Sequence, residues 1–319
     1  MVREGRPYVD SVRFAIIPDI AQQLAQFTSG HLDEVVVLDA SNLATMKTNN
    51  PKALVLPIFP YNGGNNVYLP LGDPTSPFRD DRVRQAMSMA IDRDAIHHAV
   101  YFDRFSDTLF VRAGLGKWAL HISQLDAETA PYYKYDQNKA KQLLQASGIL
   151  NQQFKWTFGN IESVAKNPPN GALLSMLTAA GLKFTSLVVD YQKDYIDSGH
   201  GMRQGYFNKD TVIYGGQQSF TEVDETPFSY FHSKSTQNEQ MLKDPELDAI
   251  IDKERTQLKE DDRVKAALDI QRYMAKKVNS LNGGGPTAFQ FVQPWVQNYA
   301  LATNMDGGVG SYAKLWLTR

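Results

Sequence analysis

The chain has 319 residues, of which 42% are hydrophobic, and this is enough to bury the core of one large domain or of two ordinary ones. Its 33 Lys and Arg side chains nearly balance 35 Asp and Glu, and a net charge of −2 argues against nucleic acid or an anionic membrane as partner. The absence of cysteine excludes disulfides, thiolate nucleophiles and cysteine-based metal sites.

Neither a membrane span nor a secretion signal is predicted. The longest apolar runs, Ala53 to Phe59 and Phe184 to Val189, are far shorter than the roughly 20 residues of a membrane helix. The first six residues, Met1-Val-Arg-Glu-Gly-Arg6, are charged and lack the apolar stretch of an export signal.

The first 75 residues are predicted to form part of a mixed sheet. Alternating or continuous apolar runs indicate strands, and Pro18-Asp19 indicates the start of a helix. The predicted strands are Pro7 to Ile17, Leu32 to Leu38, Ala53 to Phe59 and Asn66 to Leu71, and the predicted helices are Ile20 to Phe27 and Asn42 to Lys47.

From Asp80 onward the pattern changes to helices, followed by alternating strands and helices typical of an α/β domain. A long aromatic loop, 102–135, separates the two parts. The predicted strands are Phe154 to Phe158, Phe184 to Asp190, Thr211 to Gly215, Ala288 to Val292 and Val296 to Leu301. The predicted later helices are Lys139 to Ala146, Gly171 to Ala180, Gln192 to Ser198, Glu246 to Thr256 and Asp261 to Lys277. The glycine run 283–285 is predicted to be a hinge or a turn.

Several motifs resemble the peptide/nickel-type, family 5 extracellular solute-binding proteins of ABC importers. The most specific is Pro77-Phe-Arg-Asp-Asp-Arg-Val-Arg-Gln-Ala-Met-Ser-Met-Ala-Ile-Asp-Arg93, which is similar to the family's Pro-Phe-x-Asp-x-Arg-Val-Arg-Gln-Ala core. Gly5-Arg-Pro-Tyr-Val-Asp10, Gly30-His-Leu-Asp33, the segment from Tyr135-Asp136 to Gly148 and Pro245-Glu-Leu-Asp248 also fit the family pattern.

The resemblance implies an α/β fold with two lobes, of the class II periplasmic-binding-protein type, with ligand held in a cleft between them. By that analogy residues 1–75 and 287–319 belong to lobe one, and residues 76–286 form lobe two. Family members carry a long portion before the position of Gly5. We therefore expect lobe one to be incomplete, the chain to be N-terminally truncated, and ligand binding by this chain to be weak or absent.

The family resemblance also implies a function, a partner and a location. We expect the protein to be the substrate-binding component of an ABC importer. It would lie outside the cytoplasm, in the periplasm or at the cell surface, and deliver an oligopeptide or oligosaccharide to the permease. We expect no catalytic residue, no cofactor and no stable oligomer. The six histidines are scattered, and His97 and His98 are adjacent and so point to different helix faces, which argues against a metal site.

The candidate ligand residues lie where the strand ending at Gly215 gives way to a polar and aromatic segment. In oligopeptide-binding relatives this region carries an Arg, a Trp and an Asp that pairs with the peptide amino group. Here Tyr214 stands in place of the Arg and Gln217 in place of the Trp, which leaves a peptide and a polyhydroxylated sugar as alternatives. The candidates are Tyr214, Gly216, Gln217, Gln218, Glu222, Asp224 and, as a stacking platform in the long loop, Trp118.

Each candidate also has a structural interpretation. Glu222 and Asp224 are consistent with an acidic turn that caps the next helix, and Trp118 with an aromatic anchor of its loop. We expect Trp156 and Trp295 to lie in the core, and the arginines of the Pro77 to Arg93 motif to form a structural network. An enzyme is the alternative from another class, namely a glycoside hydrolase in which Glu222 and Asp224 are the carboxylate pair.

Overall fold

A computed structural model describes residues 5, 7–37, 40–58, 66–99, 105–111, 113–160, 168–197, 201–215, 222–282, 285–286, 288–300 and 312–318. The chain divides into two units, residues 1–60 with 286–319 and residues 61–285. The sequence-based boundary at residue 75 differs from this division. Strand β3 (Asn66–Tyr68) belongs to the second unit because it pairs with two strands of that unit.

The first unit is built on a three-stranded antiparallel sheet in the order β1-β10-β2. Its strands are β1 (Glu34–Val37), β10 (Ala288–Val292) and β2 (Leu54–Ile58), and its helices are α1 (Ile20–Thr28) and α2 (Ala40–Asn49). Asp19 caps α1 by accepting a hydrogen bond from the Gln22 amide. Phe27, Leu43, Met46 and Phe291 are fully or almost fully buried and fill the space between helices and sheet. A further pair, β11 (Val296–Gln297) and β12 (Trp316–Leu317), is antiparallel.

The predicted strand Pro7 to Ile17 is wrong. The structure assigns residues 11–19 neither helix nor strand, although the sequence has the expected alternation of side chains. Ile16 is 94% exposed and Phe14 is 63% exposed. A strand is stabilised by hydrogen bonds to a neighbouring strand, and within the described residues this segment has no such neighbour.

The second unit contains a five-stranded sheet in the order β6-β5-β7-β3-β8. Strands β5 (Gln153–Gly159), β6 (Lys183–Val189) and β7 (Thr211–Gly215) are parallel, whereas β3 and β8 (Leu281–Asn282) join antiparallel to their neighbours. Short strands β4 (Phe105–Ser106) and β9 (Gly285–Pro286) complete the set of described strands. This mixed α/β architecture confirms the predicted fold class.

Helices of the second unit agree closely with the predicted periodicity. They are α3 (Asp81–Met89), α4 (Arg93–Ala99), α5 (Gln137–Ala146), α6 (Pro168–Ala179), α7 (Glu225–Phe231), α8 (Pro245–Arg255) and α9 (Glu260–Lys277). The predicted helix Gln192 to Ser198 is instead a π-helical turn, Tyr191–Ile196. The long loop contains three 3-10 turns, Ala113–Trp118, Ile122–Gln124 and Ala130–Tyr133.

Of the two tryptophans expected in the core, Trp156 is there, whereas Trp295 is only partly buried. Trp156 of β5 is fully buried, and its indole N–H donates to Asn170 Oδ1 at 2.6 Å. Trp295 is partly buried in the first unit, and its indole N–H donates to Asp33 Oδ1 at 2.7 Å. Each ring therefore combines apolar burial with a partner for its polar edge.

Arg84 of α3 joins three parts of the second unit. Its side chain is almost completely buried, and Nη1 donates to the carbonyl of Phe78 at 2.6 Å. Nε donates to the carbonyls of Lys277 at 2.9 Å and Val278 at 3.2 Å, where α9 ends. Carbonyls at a helix C-terminus lack partners within the helix and carry partial negative charge, so a buried guanidinium stabilises this end.

Replacing Arg84 with Met is expected to destabilise the protein by about 3 kcal/mol or more, because three buried carbonyls lose their donor. Urea unfolding measures the loss. The matched control is Arg82→Met, two residues away, where the guanidinium is 62% exposed and pairs with Asp80. Its effect is expected to be small. Equal losses in the two variants would show that Arg84 does not organise this part of the fold.

Candidate functional site

The carboxyl ends of β5, β6 and β7 lie along one edge of the sheet. The three strands are parallel, and Gly159 at the end of β5 is opposite Val189 at the end of β6. We call this the carboxyl edge. In open α/β sheets, ligands bind beyond the carboxyl ends of the strands, where loops supply the contacts. The carboxyl edge is therefore the candidate ligand site of the second unit.

Two strand-end glycines make room for a pair of tyrosines at the carboxyl edge. The rings of Tyr191 and Tyr195 are stacked with centroids 5.5 Å apart. A Cβ atom on Gly159 would lie 2.9 Å from Cδ2 of Tyr191, and one on Gly215 would lie 2.3 Å from the hydroxyl of Tyr195. Any side chain at Gly215 would displace Tyr195, so the glycine fixes where this ring sits.

A buried carboxyl group lies beside the tyrosine pair. Glu239 is 2% exposed, and Oε2 accepts a hydrogen bond from the Tyr195 hydroxyl at 3.0 Å. Arg203 Nε is 4.0 Å from Oε1, which is too far for a hydrogen bond. Burial raises the pKa of Glu239 to about 8, although the Tyr195 hydrogen bond and the charge of Arg203 both lower it. Glu239 is therefore mostly protonated at neutral pH.

Tyr214, the first of the predicted ligand residues, lies inside the core. It is fully buried on β7, and its ring centroid is 6.2 Å from that of Trp156. A ligand approaching from solvent has no access to this side chain in the structure. The strand that carries it nevertheless ends one residue later, at the carboxyl edge.

Three other predicted residues, Glu222, Asp224 and Trp118, are brought together around Arg263. Arg263 Nη2 lies 2.7 Å from Glu222 Oε1 and 3.7 Å from Asp224 Oδ1. The guanidinium carbon is 5.7 Å from the centre of the Trp118 ring, a cation–π distance. We call this group, with Arg255 and Glu254, the Arg263 cluster.

Arg255 and Glu254 complete the cluster. Arg255 Nε is 2.9 Å from Asp224 Oδ2, and Arg263 Nε is 2.8 Å from Glu254 Oε1. Glu254 is fully buried, and burial is the main cause of its raised pKa. Asp224 stands at the N-cap position of α7 without donating or accepting a side-chain capping bond. Its carboxylate is held by arginines instead.

Exposure separates the members of this cluster. The Glu222 side chain is 48% exposed, whereas that of Asp224 is 10% exposed. Trp118 is half-buried against Val111, Ala119 and Val223. Solvent therefore reaches Glu222 and part of Trp118, whereas Asp224 is mostly covered and serves as the ion-pair partner of Arg255 and Arg263. Three further predicted residues, Gly216, Gln217 and Gln218, lie outside the described residues.

The described part of the chain holds no group of three or more His, Cys, Asp and Glu side chains arranged to bind a metal ion. The same part of the chain has no helix that is long and apolar enough to cross a bilayer.

Sequence reasoning missed the contact between Tyr195 and Glu239. The two residues are 44 positions apart, and Glu239 lies in a polar run, Gln237 to Gln240, that suggests an exposed loop. The nearest signal was Gly215, since a glycine at a strand end indicates close approach of another group.

Comparison with known proteins identifies one family over most of the chain. Residues 2–239 match the sequence profile of the bacterial extracellular solute-binding proteins, family 5 middle region. The chain is 30% identical over 145 residues, 46% of its length, to the oligopeptide-binding protein AppA of Bacillus subtilis, and the match covers 25% of AppA. It is 26% identical over 307 residues, 92% of its length, to a probable di/tripeptide-binding protein of Pseudomonas aeruginosa, covering 54% of that protein.

A solved structure is similar over almost the whole chain. The structure of Bacillus subtilis AppA in complex with a nonapeptide superposes with a TM-score of 0.77 and 19% identity, covering 99% of this chain and 62% of AppA. At this level of identity the similarity shows the fold. The chain spans about half or less of the length of these curated relatives.

The pKa of Glu239 predicts how stability depends on pH. Because the pKa rises on folding from 4.5 to about 8, the protonated carboxyl contributes stability that is complete below pH 4.5 and is lost as pH rises through about 8. The loss is about 1.4 kcal/mol for each unit by which the two pKa values differ. Glu239→Gln keeps the shape and cannot ionise, so its free energy of unfolding is expected to be flatter between pH 5 and 8.

Urea unfolding at several pH values measures this difference. The matched control is Glu225→Gln, the same change on an exposed side chain, which is expected to follow the wild-type pH dependence. A Glu239→Gln profile parallel to that of the wild type would contradict a protonated Glu239.

Proposed function

We propose a transport function for this chain, which belongs to the bacterial extracellular solute-binding proteins, family 5. The family is one of substrate-binding transport proteins. We infer that the chain is the substrate-binding component of an ABC importer, which captures an oligopeptide and delivers it to the permease. The observation that carries this proposal is the family match over residues 2–239.

A peptide is the favoured ligand. Two relatives are named as oligopeptide-binding and di/tripeptide-binding, and the solved structure of AppA holds a nonapeptide. The amides of Gln217 and Gln218 would also suit the hydroxyls of a sugar, so an oligosaccharide is the competing ligand that the experiment must exclude.

The proposed ligand segment is 216–224, which follows β7 at the carboxyl edge. Within it, the exposed carboxylate of Glu222 is the proposed partner of a peptide amino group, with Gly216, Gln217 and Gln218 as proposed neighbours. Arg263 already holds Glu222, which keeps the carboxylate oriented before ligand arrives. Trp118, whose ring also lies near Arg263, is the proposed apolar contact, and Asp224 supports the segment through its two arginines.

The mechanism proposed is binding without chemistry. A ligand shifts the protein toward the conformation that it binds best, and the permease recognises that conformation. The Arg263 cluster does not favour the glycoside-hydrolase alternative, because both Glu222 and Asp224 are held by guanidinium groups. The location that fits this function is outside the cytoplasm, in the periplasm or at the cell surface.

Thermal unfolding of the 319-residue chain tests the proposal. A pool of di- to nonapeptides is expected to raise the melting temperature in a saturable way, because ligand binds only the folded state. Glu222→Gln is expected to weaken peptide affinity at least about tenfold through the loss of a charge-assisted contact. Glu225→Gln, an exposed acid outside the proposed segment, serves as the matched control and should leave affinity unchanged.

Two results would contradict the proposal. Stabilisation by malto-oligosaccharides and not by peptides would overturn the peptide assignment. Turnover of a chromogenic glycoside that is lost in Glu222→Gln would favour the enzyme instead.

A further inference from the structure

The second unit also has a cavity whose lining includes none of the carboxyl-edge residues. It is a cavity of about 180 Å³ between the turn that precedes α3, the start of α8 and the end of α9. Its charged lining residues are Arg79, Arg84, Lys243, Lys277, Asp81 and Asp244. Four cationic side chains thus face two carboxylates, and the lining carries a net positive charge.

Both carboxylates of the lining are already engaged. Asp81 pairs with the buried guanidinium of Arg84 and lies 3.2 Å from Lys277 Nζ. Asp244 caps α8 by accepting from two backbone amides, each at 3.1 Å. It also accepts from the Tyr273 hydroxyl at 3.0 Å. Asp81 is therefore paired with cations, whereas Asp244 keeps its negative charge among neutral donors. With four cationic side chains and two carboxylates, the lining remains net positive.

Two cations of the lining have no carboxylate partner among the described residues. Arg79 uses Nη1 to donate to the carbonyl of Leu71 at 2.7 Å, and the other donors of its guanidinium fork have no described partner. Lys243 is exposed and makes no ion pair with any described residue. Such uncompensated charges around a concave surface attract an anion, and the low-dielectric wall strengthens that attraction.

The lining also includes the buried residue Asn279. Asn279 is 2% exposed, and within the described chain its Nδ2 has no hydrogen-bond partner. The backbone of Asn279 is held at both ends. Its N–H donates to the carbonyl of Met274 at 3.1 Å, and its carbonyl accepts from Gln240 Nε2 at 2.9 Å. Because Nδ2 is enclosed by protein atoms, Asn279 shapes the wall of the cavity and is not counted among the ligand contacts.

We propose that this cavity is a binding site for a small tetrahedral oxyanion such as inorganic phosphate, held by Arg79 and Lys243. The volume is several times the roughly 30 Å³ that one water molecule occupies in the liquid, so such an anion fits with water beside it. The guanidinium fork suits bidentate contact with two oxygens, and the lysine supplies a point charge. The site uses none of the proposed ligand residues of the transport function.

Isothermal titration of the full chain with inorganic phosphate, at constant ionic strength maintained with sodium chloride, tests the site. Saturable binding is expected for the wild type. The double variant Arg79→Gln, Lys243→Gln is expected to bind at least tenfold more weakly. The matched control is Arg82→Gln, Lys265→Gln, which removes two exposed cations outside the cavity and should bind as the wild type does.

Lys243→Glu provides a second variant at an exposed position, where a folding defect is not expected, and it should abolish phosphate binding by reversing the charge. Circular dichroism checks that each variant is folded. The proposal is overturned if phosphate has no effect beyond that of chloride, or if cavity and control variants bind phosphate equally.

Discussion

The parallel hydrogen bonding of β5 to β6 and β7 is the constraint on which the second unit depends. It aligns three strand ends, so that the segments leaving Gly159, Val189 and Gly215 all begin at one edge. An antiparallel neighbour would instead send consecutive ends to opposite edges. The position of the candidate ligand site follows from this topology before any side chain is considered.

Burial and charge decide what the side chains of the carboxyl edge, and separately those of the Arg263 cluster, do. Glu239 is enclosed with Tyr195 and kept protonated, so it contributes shape and a hydrogen bond rather than a charge. In the Arg263 cluster, by contrast, the side chains interact as charges. The guanidinium of Arg263 pairs with the buried carboxylate of Glu254 and also with the accessible carboxylate of Glu222. A solute-binding site needs this combination of a rigid background and a few reachable polar groups.

The periodic elements were predictable because their signals are local. Strands β7 and β10 and helix α9 lie within one residue of their predicted bounds, since apolar period and flanking breakers coincide there. The strand at Pro7 to Ile17 failed because strand formation requires a partner that alternation alone does not supply. At the site, the sequence supplied Trp118, Glu222 and Asp224 but not Arg263, which lies 41 residues beyond Glu222 and joins them only in the folded chain. Glu239 was also missed. A buried polar residue within a polar run gives no local sign of its burial.

We propose that ligand binds at the carboxyl edge of the second unit. Amide hydrogen exchange of the chain with and without saturating peptide tests this position, because bound ligand slows exchange where it contacts or orders the backbone. We expect slowed exchange concentrated at residues 189–197 and 213–224. Protection confined to other parts of the chain, with none at these residues, would contradict it.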